Sequence, residues 1–250
     1  MQNSTHLTGD LLAVETDFLA RYHAEAESHC GLFGEPVAID NVGVVEFSGV
    51  VEKRGSNPFF RSASLAELEQ NLFGLPDDVD TVILHIDSPG GYVTGLPEAH
   101  RVIEAVDKNV IAYTDTCMCS AAYYLATAAD QIVAAPSATV GSVGVYGVMV
   151  DQSRAAAEQG VEVHVIRSGD LKGAGIPGKE VTEEEIAHEQ AIVDRLFADF
   201  KSKVEYARPA IDPDVFRGAA YPGEQAIELG LIDAQADRVQ DVLAVLLENS

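Results

Sequence analysis

The sequence predicts an α/β layered domain with a largely parallel sheet. Three observations lead there. Short β-branched apolar runs recur, among them Val82–Ile86 and Val110–Tyr113. Helical patterns alternate with them along most of the chain, and no low-complexity linker interrupts the alternation.

Taken in order, Leu11 to Ser28 carries apolar residues at roughly helical spacing, an amphipathic helix that Gly31 to Pro36 ends. Residues 1–36 are therefore expected to form an N-terminal helical extension, and 37–250 the main domain. Val42 to Val51 reads as a strand or bent strand pair with glycine kinks. Ser62 to Phe73 reads as a helix, with Ser64 and Glu67 forming a capping box. A turn at Asp77–Asp80 precedes the strand Val82–Ile86, whose nearly continuous apolar pattern fits a strand covered on both faces. Asp87-Ser88-Pro89-Gly90-Gly91 then turns into a helix over about 93–106. Val110–Tyr113 is a strand, and the Ala-rich stretch after Ser120 is a helix.

Gln131–Ala134 is a strand, and Thr139–Val150 is a glycine-punctuated apolar run. Ala155–Gln159 reads as helical and Val161–Ile166 as another strand. Arg167–Gly175 is a glycine-rich loop. Thr182 to Tyr206 is the longest helix, opened by a Thr182/Glu185 capping box. After a loop at 209–213 come a short helix from Gly223 closed by Gly230, a strand stub at Leu231–Asp233, and a last helix over 237–247.

With 250 residues and 47% hydrophobic content the chain can bury a sizeable core. The net charge of −24 sets it against nucleic acid and anionic membranes, both of which repel it. The three cysteines supply neither a disulfide framework nor a second pair for structural zinc, so buried thiols are expected. No basic stretch followed by an apolar block opens the chain, and no uncharged run reaches membrane-span length. A cytoplasmic chain with no membrane anchor is expected.

Two stretches carry possible chemistry. Ser120 stands where a strand gives way to a helix. There it can be an ordinary cap, or a nucleophile at the positive end of the helix. Ser88–Gly91 joins a strand to a helix start, and such a turn can aim backbone N–H groups at an anion. A serine nucleophile needs a base. None of the seven histidines lies in the helix, strand and turn that follow Ser120, and His85 and His164 fall inside apolar strands as core residues would. Among six lysines, Lys53, Lys108, Lys201 and Lys203 read as solvated charges, leaving Lys172 and Lys179. Lys172 stands alone in the glycine-rich loop. A surface charge is one reading of it. The other is a base, for which a lysine must be desolvated.

Four segments in order, Ser88–Gly91, Ser120–Tyr124, Thr139–Val145 and Ser168–Lys172, resemble the signal peptide peptidase A family of Ser–Lys serine proteases. The 52 residues between Ser120 and Lys172 (172 − 120) match its single-repeat members. The resemblance covers about 42–247. It implies a ClpP/crotonase-like spiral of β-β-α units. It also implies Ser120 as nucleophile, Lys172 as general base, Ser142 orienting the lysine, and the Gly91 and Ala121 N–H groups as oxyanion hole. No cofactor is implied. Polypeptide substrates and a ring-like homo-oligomer are, with the lysine supplied in some members by a neighbouring subunit. Cys119-Ser120-Ala121, where membrane-anchored members typically carry Ser-Gly-Gly, is closer to the head maturation proteases of tailed phages. Capsid, scaffold or portal proteins would then be substrates. A host cytoplasmic peptidase of the same family, a crotonase-type acyl-CoA enzyme and a non-catalytic ring protein are the alternatives. No basic cluster suited to the CoA phosphates is visible.

Overall fold

The structure, a computed structural model, describes residues 12–14, 37–39, 41–55 and 62–248. Internal contacts divide the chain into two compact units: Ala13–Gly144 with Asp199–Ser250, and Met1–Leu12 with Val145–Ala198.

The larger unit repeats one theme. A long buried strand is followed by a short strand and then a helix. The first turn of the theme is β3 (Val42–Ser48), β4 (Val50–Glu52) and α1 (Leu65–Phe73), with β5 (Ser62–Ser64) inserted before the helix. The second is β6 (Thr81–Asp87), β7 (Gly90–Tyr92) and α2 (Leu96–Glu104). The third is β8 (Asn109–Thr114), β9 (Cys117–Cys119) and α3 (Ala121–Ala126). The fourth opens with β10 (Gln131–Ala134) and β11 (Thr139–Gly141).

The long strands β10, β8, β6 and β3 lie side by side in parallel. β2 (Val37–Ile39) pairs antiparallel at one edge and β13 (Ala234–Gln235) parallel at the other. The short strands gather in two small sheets, one ordered β1 (Leu12–Val14), β7, β4, β5, the other β12 (Ala220–Pro222), β11, β9. This is a spiral of β-β-α turns. Each crossover helix lets the next long strand return parallel to the last.

Both faces of the large sheet are covered, which explains the continuous apolar runs. On one face Ile83, Ile111, Tyr113 and Val133 pack with Val242 and with Val239, Leu243, Leu246 and Leu247 of α7 (Val239–Glu248). Val82, Leu84 and Ile86 alternate to the other side of β6 and are fully buried.

The smaller unit holds α4 (Ser153–Glu158) and the part of α5 (Glu183–Ala207) up to Ala198. Its capping box is complete. Glu185 N–H donates to Thr182 Oγ1 at 3.3 Å, and Thr182 N–H to Glu185 Oε2 at 3.1 Å. At the other box, Ser64 accepts from Glu67 N–H at 3.3 Å.

Several sequence expectations are corrected. Ser62–Ser64 is a strand, so the helix starts at Leu65. Of Thr139–Val150 only Thr139–Gly141 pairs as a strand. Val161–Ile166 joins no sheet among the described residues: its residues are strand formers, but none of the described strands pairs with it. His164 there is exposed rather than a core residue. The strand stub lies at Ala234–Gln235, because Leu231 N–H is taken by the Ala226 carbonyl at the end of α6 (Gly223–Glu228). A single-turn 3₁₀ helix at Pro213–Arg217, capped by Asp212, had no counterpart in the reading. The helix expected over Leu11–Ser28 lies outside the described residues apart from Leu12–Val14, which is a strand.

Replacing Thr182 with Ala removes an acceptor from the first turn of α5. It should lower stability by about 1 kcal/mol in denaturant melts, with faster amide exchange confined to the residues after Thr182.

Candidate active site

Ser120 is buried between β9 and α3. Its backbone sits at φ 52° and ψ −118°, where side chains with a Cβ are strained. It is not an ordinary cap, since its side chain makes no capping bond. Two backbone bonds hold it: Ser120 N–H donates to Gly141 O at 2.8 Å, and Ser120 O accepts from Tyr124 N–H at 2.9 Å. That second bond is the first of the helix. The N–H groups of Ala121, Ala122 and Tyr123 therefore lack a partner in the preceding turn and carry its partial positive charge.

The helix that fixes this geometry is itself immobilised. All six residues of α3 are buried. Tyr123 Oη donates to Leu231 O at 2.7 Å, and Tyr124 Oη to Asp199 Oδ2 at 2.7 Å. Burial pushes both phenols well above their ordinary pKa, in Tyr124 aided by the Asp199 carboxylate, so both remain donors. His100 of α2 packs edge-on against Tyr124, ring centroids 5.1 Å apart, and its Nε2 lies 3.1 Å from Thr127 Oγ1. Burial, then the Lys203 charge, holds this imidazole below its usual pKa. A cavity of about 320 Å³ lined by Glu104, Thr127, Asp130 and Arg208 lies at the far end of α3 from Ser120.

The glycine turn is built into the same frame. α3 packs against β7, which carries Gly90 and Gly91. Ser88 joins the two crossovers: its N–H donates to Cys117 O at 2.8 Å, and its carbonyl accepts from Cys119 N–H at 3.1 Å. Its side-chain oxygen accepts from Gly90 N–H at 3.2 Å. Gly91 must be glycine, because a Cβ there would overlap the Val51 backbone of β4, its register partner. Ser142 is buried at φ 53° directly after Gly141, whose carbonyl holds Ser120, and its N–H donates to Ala219 O at 2.8 Å. Ser120, Ala121, Gly91 and Ser142 thus belong to one unit and one hydrogen-bonded frame.

Lys172 belongs to the other unit, exposed in the loop where Gly169, Gly173 and Gly175 all take positive φ. Lys179, the other lysine left open by the sequence, is committed elsewhere. Its Nζ lies 2.5 Å from Glu185 Oε1 and 2.9 Å from Glu180 O. With Thr182 N–H it holds the Glu185 carboxyl below the usual range. Lys108 bonds the Pro76 and Val79 carbonyls, and Lys201 and Lys203 pair with Glu205 and Glu104. His85 and His100 are bonded to groups other than Ser120. Cys117 and Cys119 are buried thiols, as expected, the Cys119 Sγ donating to Thr139 O at 3.6 Å, and Cys30 lies outside the described residues. No helix among the described residues is long and apolar enough to cross a membrane.

Sequence reasoning missed the partners of His85, considered below, and the Tyr123 and Tyr124 phenol anchors. A tyrosine pair in an otherwise small-residue helix was the available signal for the latter.

Replacing Tyr123 with Phe leaves the Leu231 carbonyl buried without its donor. It should cost about 1–3 kcal/mol of stability, read by chemical denaturation.

The protein MJ0651 of Methanocaldococcus jannaschii, named for a protease, is 32% identical over 162 residues, covering 63% of this chain and 52% of its own. Capsid assembly protease C of Escherichia phage lambda is 32% identical over 160 residues, covering 62% of this chain and 36% of its own. The chain thus spans about half the length of the first of these relatives and about a third of the second. Among solved structures, a point variant of ClpP1 from Listeria monocytogenes superposes with a TM-score of 0.52 at 13% identity, over 80% of this chain and 94% of that one. Methylmalonyl CoA decarboxylase superposes with a TM-score of 0.50 at 15% identity, over 88% and 76%. The fold is therefore the ClpP/crotonase spiral. The profile of Peptidase family S49 matches residues 103–249, more than half the chain and the whole of the Ser120 segment, and the chain belongs to that family.

Proposed function

We propose that this chain is a serine endopeptidase in which Ser120 is the nucleophile and Lys172 the general base. The observation that carries the reading is the backbone of Ser120: a buried serine held at positive φ on a strand-to-helix turn, at the start of a helix that its side chain does not cap. Strain of this kind costs roughly 1–3 kcal/mol and concentrates at functional sites.

Ser120 Oγ attacks the peptide carbonyl and gives its proton to the uncharged Lys172 amine. The carbonyl oxygen becomes an oxyanion, held by the Gly91 and Ala121 N–H groups. Each such donor contributes about 3 kcal/mol to the transition state. The tetrahedral intermediate collapses, Lys172 passes the proton to the leaving amine, and an acyl-Ser120 ester remains. Water then adds with Lys172 again as base, releasing the acid and restoring Ser120. Ser142 bonds the lysine amine and orients it.

The working form in this reading is a ring of identical subunits. Supporting it, the single buried residue in 145–198 is Glu185, while Val148, Val150, Val161, Ile166, Ile176 and Ile186 are exposed. So small a unit without an apolar core gains stability from a neighbouring surface. Polypeptides are the substrates, with capsid, scaffold or portal proteins of a phage head the first class. The likeness to the lambda protein supports that class, and the likeness to the M. jannaschii protein supports a host peptidase as the second. The net charge of −24 disfavours a CoA ester, whose phosphates it repels.

Ser120→Ala and Lys172→Ala should each abolish cleavage of an unfolded polypeptide, followed by gel and mass spectrometry. Equal cleavage by both variants and the parent would remove the proposal. Mixing the two variants restores activity only if the lysine reaches the serine of a neighbouring subunit.

A further inference from the structure

His85 lies on β6, three residues before Ser88, on the sheet face that α7 covers further down. Its Nδ1 is 2.9 Å from Glu46 Oε1 and its Nε2 is 3.2 Å from Asp115 Oδ1. Glu46 is its register partner on β3. Asp115 directly follows β8, on which Tyr113 is its register partner.

These three strands are the ones that launch the candidate site. β3 leads through Gly49 to β4, whose Val51 backs Gly91. β6 leads to Ser88 and the glycine turn. β8 leads through Asp115 to β9 and Ser120. One imidazole therefore ties together the ends of all three approaches.

A neutral imidazole has one N–H and one lone pair, so it can donate to only one carboxylate while its lone pair faces the other. Both bonds are made only by the imidazolium. The charged surroundings agree. Glu46 comes from β3, Asp115 follows β8, and Asp87 lies two residues along on the same face of β6. The Tyr113 ring lies 5.4 Å away, tilted. From the α7 side Asp237 and Asp241 act on the Tyr113 phenol, and Asp241 is paired with Arg238 at 2.7 Å. Among the described residues, the charged groups that act on His85 itself are the carboxylates Glu46 and Asp115. Burial pulls the His85 pKa down, but the hydrogen bonds and charges of Glu46 and Asp115 outweigh it, and it lies above the ordinary histidine value.

We propose that His85 is a positioning residue, a protonated clamp across the ends of β3, β6 and β8 that holds the glycine turn and Ser120 in register. The proposal rests on the peptidase reading only for its catalytic consequence. A raised histidine pKa stabilises the fold below the unfolded value of ~6.5, and that contribution is lost as pH rises through the folded pKa. The clamp therefore opens on the alkaline side, where a lysine base on its own would gain activity.

Two measurements test this on the full-length chain. The first is an NMR titration of the Ser120→Ala protein with labelled histidine, glycine and alanine, His85 being assigned by its loss in His85→Gln. His85 should titrate above the ordinary histidine value, with the Gly91 and Ala121 amides moving at the same pH. Amides that stay still while His85 titrates would overturn the clamp, whatever the enzyme cleaves. The second is the pH profile of peptide hydrolysis. His85→Gln and Asp115→Asn should lower kcat on the order of tenfold to a hundredfold, with KM nearly unchanged. His85→Gln should remove the alkaline inflection of the parent, and Asp115→Asn, which leaves the Glu46 pair, should move it to lower pH. His85→Arg, which keeps two donors and a permanent charge, should recover kcat and also lack the inflection. Variants with the parent's profile would overturn the proposal. Absence of hydrolysis at every pH would instead count against the peptidase reading and leave the amide titration to decide the clamp.

Discussion

The bond from Ser120 N–H to the Gly141 carbonyl, 2.8 Å long, is the constraint on which the rest of this architecture turns. It ties the strand carrying the serine to the next turn of the spiral, and it holds an L-residue in a conformation that costs roughly 1–3 kcal/mol. Such a conformation persists only where its surroundings over-determine it. Here they do. β9 is paired to β11 on one side and bridged to Ser88 on the other, and α3 is buried throughout. Buried phenol bonds to Leu231 and Asp199 contribute on the order of 1 kcal/mol each, and more is lost if either leaves a partner unsatisfied. The hydroxyl is thus presented by a backbone with very little freedom to relax, the condition for a preorganised nucleophile.

The glycine turn obeys the same logic through steric exclusion. Gly91 lies against the backbone of Val51 with no room for a Cβ. Glycine is required by the close approach of two strands, and the same approach aligns β7 beside α3. The spiral makes this economical. Every long strand sits in one parallel sheet, so each short strand emerges at the same edge, and features 30 residues apart in sequence become neighbours. The His85 clamp acts at that edge, where the strand ends have left the apolar cover of α7 and side-chain charge must do what packing does below.

What was legible in the sequence followed from local chemistry. β3, β6, β8 and β10 are buried on both faces, so they read as apolar runs. Thr182 with Glu185 is a cap contained in four residues. Ser120 and the Ser88–Gly91 turn stood out because a strand, a small-residue turn and a helix were contiguous. What was hidden depends on distant partners. Ser-Ala-Ser at β5, Gly-Gly-Tyr at β7 and Cys-Met-Cys at β9 are strands only because neighbours arrive to pair with them. His85 read as a core histidine because its two carboxylates lie 39 and 30 residues away. No period in the sequence announces such a contact.

Val161–Ile166 marks the opposite failure, and it carries physical content. Its residues have the composition of a strand, yet Val161 and Ile166 are exposed and the segment joins no ladder. Alternate residues do face inward: Val163 and Val165 lie so close to Gly178 and Gly173 that a Cβ at either glycine would crowd them. The segment is therefore held from one side, and it pairs with no strand among the described residues. Isolated edges of this kind are aggregation hazards that single chains blunt with charge or proline. Here Glu162 and Arg167 provide some charge, but Ile166 stands nearly bare. A chain with net charge −24 repels its own copies at long range, so any association must be driven by short-range contact, and this unit concentrates the apolar surface that could drive it. The loop bearing Lys172 begins where this segment ends. In the ring proposed above, covering the segment would also desolvate the neighbourhood of the lysine. Burial of that kind lowers a lysine pKa and is what a lysine needs to serve as a base. Assembly and catalytic competence would then be one event.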